Sequence, residues 1–262
     1  MPKDATGILS EIKRTYLIEK LKSGLREDGR KLDQFRNFTV EENFVPRAQG
    51  SAFVQLGRTK VIVGVKIEDG EPFPDTPNLG VMTTNVEMLP MAFPTFEPGP
   101  PNEDSIEIAR VVDRGIRESK MIDMEKLCIE PGKKVMIVFI DIDVIDFDGN
   151  IIDACTMGIV KALNFARYKP DPEVPEIALP INNHPISVTM VKIGDDIMCD
   201  PTLEEEQMST ARLTVTMTED GKIRAMQKGN FGSFTVDQIK YAIDMSERVG
   251  NQIRENILGE VK

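Results

Sequence analysis

The sequence predicts an α+β protein built from two successive units, each with strands followed by a helix. Two β-rich runs on either side of Gly57, within residues 50–67, predict a hairpin. Apolar residues at helical spacing within residues 106–117 predict an amphipathic helix. A second group of strands and a C-terminal helical pattern follow the prolines of residues 169–186. The recurrence of strands and helix on both sides of this proline-rich stretch favours two related halves.

The first unit is expected to contain one long buried strand and two helices. Asp104 or Ser105 is expected to cap the helix of residues 106–117. The opposite side of that helix carries Ile108, Val111, Val112 and Ile116, which predicts a stripe that faces the core. The other elements predicted are a helix at 8–24, strands at 38–45, 80–89 and 133–149, and an amphipathic helix at 150–168.

The second unit is expected to contain four strands and a long C-terminal helix. Asp220 and Gly221 lie at the centre of residues 211–229 and predict a hairpin turn. The other predicted elements are strands at 186–194 and 195–201 and a helix at 235–258. These patterns divide the chain into an N-terminal helical extension, 1–25, a first half, 26–180, and a C-terminal half, 181–262.

Composition excludes several classes of protein. The chain has 262 residues and a formal net charge of −11, which argues against binding polyanions over the whole surface but allows a local positive patch. Cys128, Cys155 and Cys199 form no CxxC pair, so neither a zinc site nor a disulfide framework is expected. The one histidine, His184, is interpreted as a surface loop residue. No apolar run is long enough for a membrane span and the N-terminus is charged, so a cytoplasmic protein without membrane contact is expected.

Three arginines recur at helical spacing in this acidic chain. Arg110, Arg114 and Arg117 follow an i, i+4, i+7 pattern and therefore share one face of the predicted helix. The residues leave three interpretations open. The arginines pair with nearby acids such as Asp113, they meet an acidic partner subunit, or they bind phosphate groups through their forked guanidinium.

Two acidic runs are candidate sites for a metal ion or for catalysis. The run from Asp141 to Asp148 does not fit the ligand spacing of a calcium loop, and a strand with polar edges is favoured over a two-metal site. The run at 204–206, Glu-Glu-Glu, is interpreted as a solvated turn. Phosphate-binding glycine motifs are missing from the sequence. No metal and no cofactor are therefore expected.

Five motifs in order resemble the RNase PH family over residues 20–255. They are "REDGR" at 26–30, "GSAFVQLGRTKVIVGV" at 50–65, "IEIARVVDRGIR" at 106–117, the "IDIDVIDFDGN" strand and "DACTMGIVKAL". The chain is most similar to the non-catalytic RNase PH-like subunit of the archaeal exosome core. This resemblance implies the RNase PH fold, a duplicated sheet-and-helix arrangement related to domain 2 of ribosomal protein S5. It also implies a hexameric ring, whose active members cleave RNA from the 3′ end with inorganic phosphate.

The resemblance also implies that residues needed for the reaction are replaced in this chain at two places. Active relatives have a hydroxyl and an arginine at the start of a helix after "DG", where this chain has Ile151 and Ile152. Active relatives also carry two aspartates about six residues apart, and the matching positions here are Glu206 and Arg212. Neither isoleucine has a side-chain donor for phosphate, and a cation cannot replace a carboxylate. No catalytic residue is therefore assigned to this chain.

The resemblance implies a non-catalytic, RNA-binding and structural subunit of a phosphate-dependent 3′-to-5′ exoribonuclease ring. Arg110, Arg114 and Arg117 match family arginines that face the RNA path. The expected partners are a catalytic RNase PH-like exosome subunit, three copies of each alternating in the ring, RNA-binding cap subunits and single-stranded RNA. Two alternatives stay open. One is a nuclease active by itself, which uses Glu206, Asp200 and the arginines for phosphorolysis, or a magnesium site on the Asp141–Asp148 run for hydrolysis. The other is a scaffold without RNA contact.

Overall fold

The larger of two sheets is formed by the first half of the chain. The computed structural model describes residues 15–21, 24–171 and 173–259, so most of the predicted helix at 8–24 lies outside the described residues. The sheet's order is β1-β2-β3-β6-β4, with β5 pairing on β6, and only β4 runs parallel to its neighbour β6. Its strands are β1 Phe38–Glu42, β2 Gly50–Leu56, β3 Thr59–Gly70, β4 Val81–Met88, β5 Cys128–Glu130 and β6 Lys134–Asp146.

The second sheet is antiparallel and comes from the C-terminal half. Its order is β10-β9-β11-β12, and a separate two-stranded ribbon, β7 with β8, lies in the proline-rich stretch. The bounds are β7 Arg167–Tyr168, β8 Ile177–Ala178, β9 Ile186–Ile193, β10 Asp196–Cys199, β11 Ala211–Met217 and β12 Ile223–Gly229. The predicted hairpins at residues 50–67 and 211–229 are thus confirmed, with Gly57 and Gly221 at positive φ in their turns.

Five helical segments and one 3₁₀ turn complete the fold. They are α1, residues 15–21, α2 Glu103–Glu118, the 3₁₀ turn Met124–Leu127, α3 Ile151–Phe165, α4 Leu203–Met208 and α5 Val236–Leu258. Helix α3 packs between the two sheets, against β2 and β3 on one side and β9 on the other, and α5 covers the outer side of the second sheet. One apolar core therefore extends through both halves of the chain. Among the described residues, no helix is long and apolar enough to cross a membrane.

Helix α3 differs from its prediction as an amphipathic helix. Twelve of its residues are buried, because sheets cover both of its sides. Gly158 permits a close approach, since a Cβ there would lie 2.6 Å from Cγ2 of Val63. A helix between two sheets needs apolar residues nearly all round, and the polar residues Asp153 and Thr156, which bond to β9, made this helix look amphipathic.

Helix α2 turns one face to the core and leaves the other in solvent. Ile108, Val112 and Ile116 are buried, as predicted. The predicted cap was one turn too late, since Asn102 caps the helix by accepting a hydrogen bond from the backbone N–H of Ser105. The helix packs on β4 and on β12, so its exposed face runs along the junction between the two sheets.

Candidate nucleic-acid interface

The exposed face of α2 carries the three arginines, and we call this surface, Arg110, Arg114 and Arg117, the arginine face. All three side chains are exposed. Within the described part of the chain, no acceptor bonds to Arg110 or Arg114. An open groove of about 260 Å³ lies beside them and reaches Thr84 of β4. The groove is lined by Thr84, Ala109, Arg110, Asp113, Arg114, Arg117 and Glu118.

Arg117 differs from the other two arginines because its guanidinium is already engaged. It donates to both carboxylate oxygens of Asp113, each at 3.0 Å, and to the carbonyl oxygen of Met82 at 2.9 Å. Asp113 in turn accepts from the hydroxyl of Thr84 at 3.1 Å. The i,i+4 pairing considered from the sequence therefore holds for Arg117, and Arg110 and Arg114 are the arginines left free for a ligand.

The predicted degenerate phosphate position lies at the start of α3, and the chain itself closes it. Ile151 and Ile152 occupy the first turn and are 6% and 4% exposed. The backbone N–H of Asn150, the N-cap, donates to Oε1 of Glu206 at 2.8 Å. A helix N-terminus attracts anions through such N–H groups, and here the anion is the chain's own carboxylate. Burial raises the pKa of Glu206 to about 7.

Backbone packing closes the same turn from the side of α4. A Cβ at Gly149, which has φ +84°, would lie 2.5 Å from the carbonyl carbon of Thr202 and 2.6 Å from the nitrogen of Leu203. The N–H of Leu203 donates to the carbonyl oxygen of Asp148 at 3.2 Å. Only glycine fits at this position, and no space remains for a ligand between the turn and α4.

Asp153, the residue after Ile152, is fully buried and faces the second sheet. It accepts from the backbone N–H and the hydroxyl of Thr189, both at 2.8 Å, and from the side-chain amide of Asn150 at 2.9 Å. Burial raises its pKa to about 7. The carboxyl therefore joins α3 to β9, and its effect on the site is structural.

The interpretation of residues 204–206 as a solvated turn is wrong. They lie in α4, whose capping box joins Thr202 to Glu205. Glu205 is buried and pairs with Arg26, while Glu206 holds the start of α3. Only Glu204 is exposed. No local pattern in the run of three acids indicated these contacts, because the partners of Glu205 and Glu206 come from distant parts of the chain.

Arg212, predicted from the sequence to stand at the second carboxylate position, pairs with helix α2. Its Nη2 donates to Oε1 of Glu107 at 2.5 Å, and its Nε is buried without a partner among the described residues. The Glu206 carboxyl is close enough for Arg212 to lower its pKa, against the larger effect of burial. Neither degenerate carboxylate position thus offers a free acid.

Sequence reasoning missed a buried ion network around Asp200. Arg30 and Arg36 both bind its carboxylate, at 2.8 and 2.7 Å, and Asn150 donates to it at 2.8 Å. Arg26 reaches its carbonyl oxygen at 2.7 Å. Burial opposes ionisation of Asp200, yet Arg36 and Arg30 hold its pKa below the usual value. The motif "REDGR" contributes Arg26 and Arg30, and only the family resemblance marked it as important.

The remaining candidates form no second site. Asp146 pairs with Lys60 at 2.9 Å, and the pKa of Asp143 is raised by burial and by nearby Glu87 and Asp141. The described residues contain no group of acids, cysteines and histidine placed to hold a metal ion. Burial raises the pKa of the Cys155 thiol, which makes it unreactive. His184 lies between Glu219 and Asn164.

The fold and the matched families identify the class of protein. A model described as the 3′ exoribonuclease family, domain 1, matches residues 34–169, and domain 2 of the same family matches residues 183–249. The chain belongs to this family, the RNase PH family of 3′ exoribonucleases. The predicted family membership and the predicted fold are therefore confirmed.

Similar proteins come from archaeal exosomes. The exosome complex component Rrp42 of Thermoplasma volcanium is 61% identical over 97% of this chain and 98% of that protein. The component of the same name from Pyrococcus furiosus is 48% identical over 97% of this chain and 96% of its own length. The solved structure of the Archaeoglobus fulgidus exosome with RNA bound to the active site includes a chain that is 44% identical. It superposes with a TM-score of 0.91, over 95% of this chain and 98% of that one.

Proposed function

We propose that this chain is a non-catalytic, RNA-binding and structural subunit of a phosphate-dependent 3′-to-5′ exoribonuclease ring. In this proposal it alternates with a catalytic RNase PH-like subunit, three copies of each, and RNA-binding cap subunits sit on the ring. The active site lies at the interface between the two kinds of subunit. The partner supplies the phosphate-binding and carboxylate groups, and this chain supplies Arg110 and Arg114. We place the assembly in the cytoplasm.

One contrast within the chain carries the proposal. Arg110 and Arg114 have no partner among the described residues and border an open groove. The start of α3 is instead closed by Glu206, by α4 and by buried isoleucines. A chain that keeps its phosphate-binding cations free but fills its own anion site is suited to holding RNA for chemistry performed by another subunit.

The similar proteins support this role. Both relatives are named as exosome components, and the Archaeoglobus structure is described as having RNA bound to the active site. Identity of 44% over nearly the full length makes a similar assembly a reasonable expectation for this chain.

The arginine face would bind the RNA backbone without reading its sequence. A guanidinium donates two parallel hydrogen bonds to phosphate oxygens, and such charge-assisted bonds are stronger than neutral ones. Contacts to phosphate fix the register of a strand but not its bases. Discrimination between RNA and DNA would depend on 2′-hydroxyl contacts, which we assign mainly to the partner.

Arg114→Glu tests the proposal, because it reverses the charge of one exposed side chain that bonds to none of the described residues. We expect RNA affinity of the assembled ring to fall by about tenfold or more, as one charge-assisted contact is worth roughly 1.5–3 kcal/mol. Ring assembly, measured by light scattering after size exclusion, is expected to be unchanged.

The matched control is Lys240→Glu, the same charge reversal on an exposed residue of α5. We expect this variant to bind RNA normally. Unchanged RNA affinity of Arg114→Glu would favour the scaffold alternative. Loss of the ring in Arg114→Glu would instead assign the arginine face to subunit contact and refute its role in RNA binding.

A further inference from the structure

Arg212 of β11 reaches the same helix that carries the arginine face. Its guanidinium binds Glu107, which precedes Arg110 by three positions and Arg114 by seven. Residues at these spacings lie on one side of a helix. Arg212 therefore ends beside the arginine face, although it comes from the other half of the chain.

The neighbouring strand is built to accommodate this guanidinium. Gly229 of β12 is the register partner of Arg212. A Cβ at Gly229 would lie 3.0 Å from Nε and from Nη2 of Arg212, and 3.2 Å from Cζ. The guanidinium thus occupies space that a side chain at position 229 would need, and from there it reaches Glu107 of α2.

Most of the hydrogen-bonding capacity of Arg212 is unused. A guanidinium has five N–H donors, and in the described part of the chain one bond, to Glu107, is formed. The buried Nε has no partner. The side chains of Arg212 and Glu107 are 20% and 44% exposed, so an incoming anion can reach the pair.

We propose that Arg212 is a further RNA-phosphate ligand of this surface, and that Glu107 is the internal anion it exchanges for RNA. The inference rests on the proposed function and extends it. A phosphodiester presents two oxygens to a guanidinium much as a carboxylate does, and a partly exposed ion pair is held only weakly.

The test is binding of single-stranded RNA to the assembled ring, measured over a series of salt concentrations. Arg212→Gln is expected to weaken binding about tenfold and to reduce the slope of log affinity against log salt by about 0.7, the value for one phosphate contact on a single strand. A purely structural role would leave this slope unchanged. Glu107→Gln is expected to bind RNA more tightly than the unsubstituted ring, and Arg212→Gln in the same chain is expected to abolish that gain.

The matched control is Arg224→Gln, since Arg224 is on the same hairpin and pairs with Asp220 at 2.9 Å. It is expected to change neither affinity nor slope. Unchanged affinity and slope in Arg212→Gln would overturn the inference, as would a Glu107→Gln ring that binds no more tightly. If the Arg212→Gln chain does not assemble into a ring, the RNA affinity of the Glu107→Gln ring decides whether the inference holds. Arg110→Gln separates the two proposals. If Arg110→Gln weakens RNA binding and Arg212→Gln does not, this inference is refuted and the proposed function is not.

Discussion

Single residues explain why the start of α3 cannot serve as an anion site. The carboxylate of Glu206 accepts the N–H of Asn150, and the Asn150 amide donates to Asp153 and Asp200. Three acids therefore surround one N-cap residue. Two of them, Asp153 and Glu206, have a pKa raised by burial to about 7. Their ionisation near neutral pH opposes folding.

The pH dependence of stability tests this arrangement. A carboxyl whose pKa is raised on folding holds its proton in the folded state at pH values where the unfolded chain has lost it. Its contribution is therefore complete below the unfolded pKa and is lost as pH rises through about 7. We expect the free energy of unfolding to fall as pH rises from about 4 to about 7, at up to about 1.4 kcal/mol per pH unit for each group, and to level off above that range.

The Glu206→Gln variant should flatten part of that profile. Glutamine keeps an oxygen that can accept the Asn150 N–H but does not titrate, so only the contribution of Asp153 should remain. Chemical denaturation at several pH values measures the effect, with Glu204→Gln on the same helix as the control, because Glu204 is exposed. A profile that is equally steep in Glu206→Gln would show that this carboxyl ionises normally in the folded chain.

At the candidate site, contacts between residues close together in the chain were predictable from the sequence, and contacts between distant residues were not. Spacing alone placed Arg110 and Arg114 on an exposed helical face, because helical periodicity is local. Spacing also offered Asp113 as a partner for Arg117, but not the carbonyl of Met82, 35 residues away. The partner of Arg212 is 105 residues away, and no local pattern indicates it.

At the level of elements, α3 determines how the two sheets are joined. Its side chains fill the space between β2, β3 and β9, and Gly158 sets the distance to the first sheet. Long apolar strands such as β6 were predictable from their unbroken β-rich runs. The burial of both sides of α3 was not, because Asp153 and Thr156 gave it the pattern of an amphipathic helix and their partners on β9 are distant in the chain.

Gly158→Val tests the close approach of α3 to the first sheet. A Cβ there would lie 2.6 Å from Cγ2 of Val63 and 3.1 Å from Cγ2 of Val54, so the added atoms must displace two buried side chains. We expect a loss of about 1–3 kcal/mol in the free energy of unfolding, typical of overpacked cores.

Gly64→Val is the matched control, since a Cβ at Gly64 of β3 would meet no atom within 4 Å. We expect a change of no more than about 0.5 kcal/mol there, because valine suits an open strand position. Equal losses in the two variants would mean that α3 is not tightly packed at Gly158.

At the level of the whole molecule, buried arginines connect the beginning of the fold to its C-terminal half. Arg26 is 1% exposed and donates to Glu205 and to the carbonyl oxygens of Cys199 and Asp200. Arg30 and Arg36 bind the carboxylate of Asp200. Such buried pairs depend on both members being present, since removal of one leaves an uncompensated charge. These bonds join residues more than 160 positions apart and are invisible to any pattern within the sequence.

The same network fixes one of the two regions on which the proposed function rests. It holds α4 against the turn before α3, which closes the anion site, while α2 keeps Arg110 and Arg114 free at the junction of the sheets. The central claim is therefore that this chain binds RNA for a reaction that only its partner performs.

The most direct test is phosphate-dependent release of nucleoside diphosphate from 3′-labelled, A-rich RNA. The chain alone, the catalytic partner alone and the mixture would be compared, with a mixture containing Arg114→Gln as a further arm. We expect no release by this chain alone at any concentration, release by the mixture, and a lower rate in the mixture with the variant. Release by this chain alone, proportional to its concentration and dependent on phosphate, would contradict the account and return a catalytic role to this subunit.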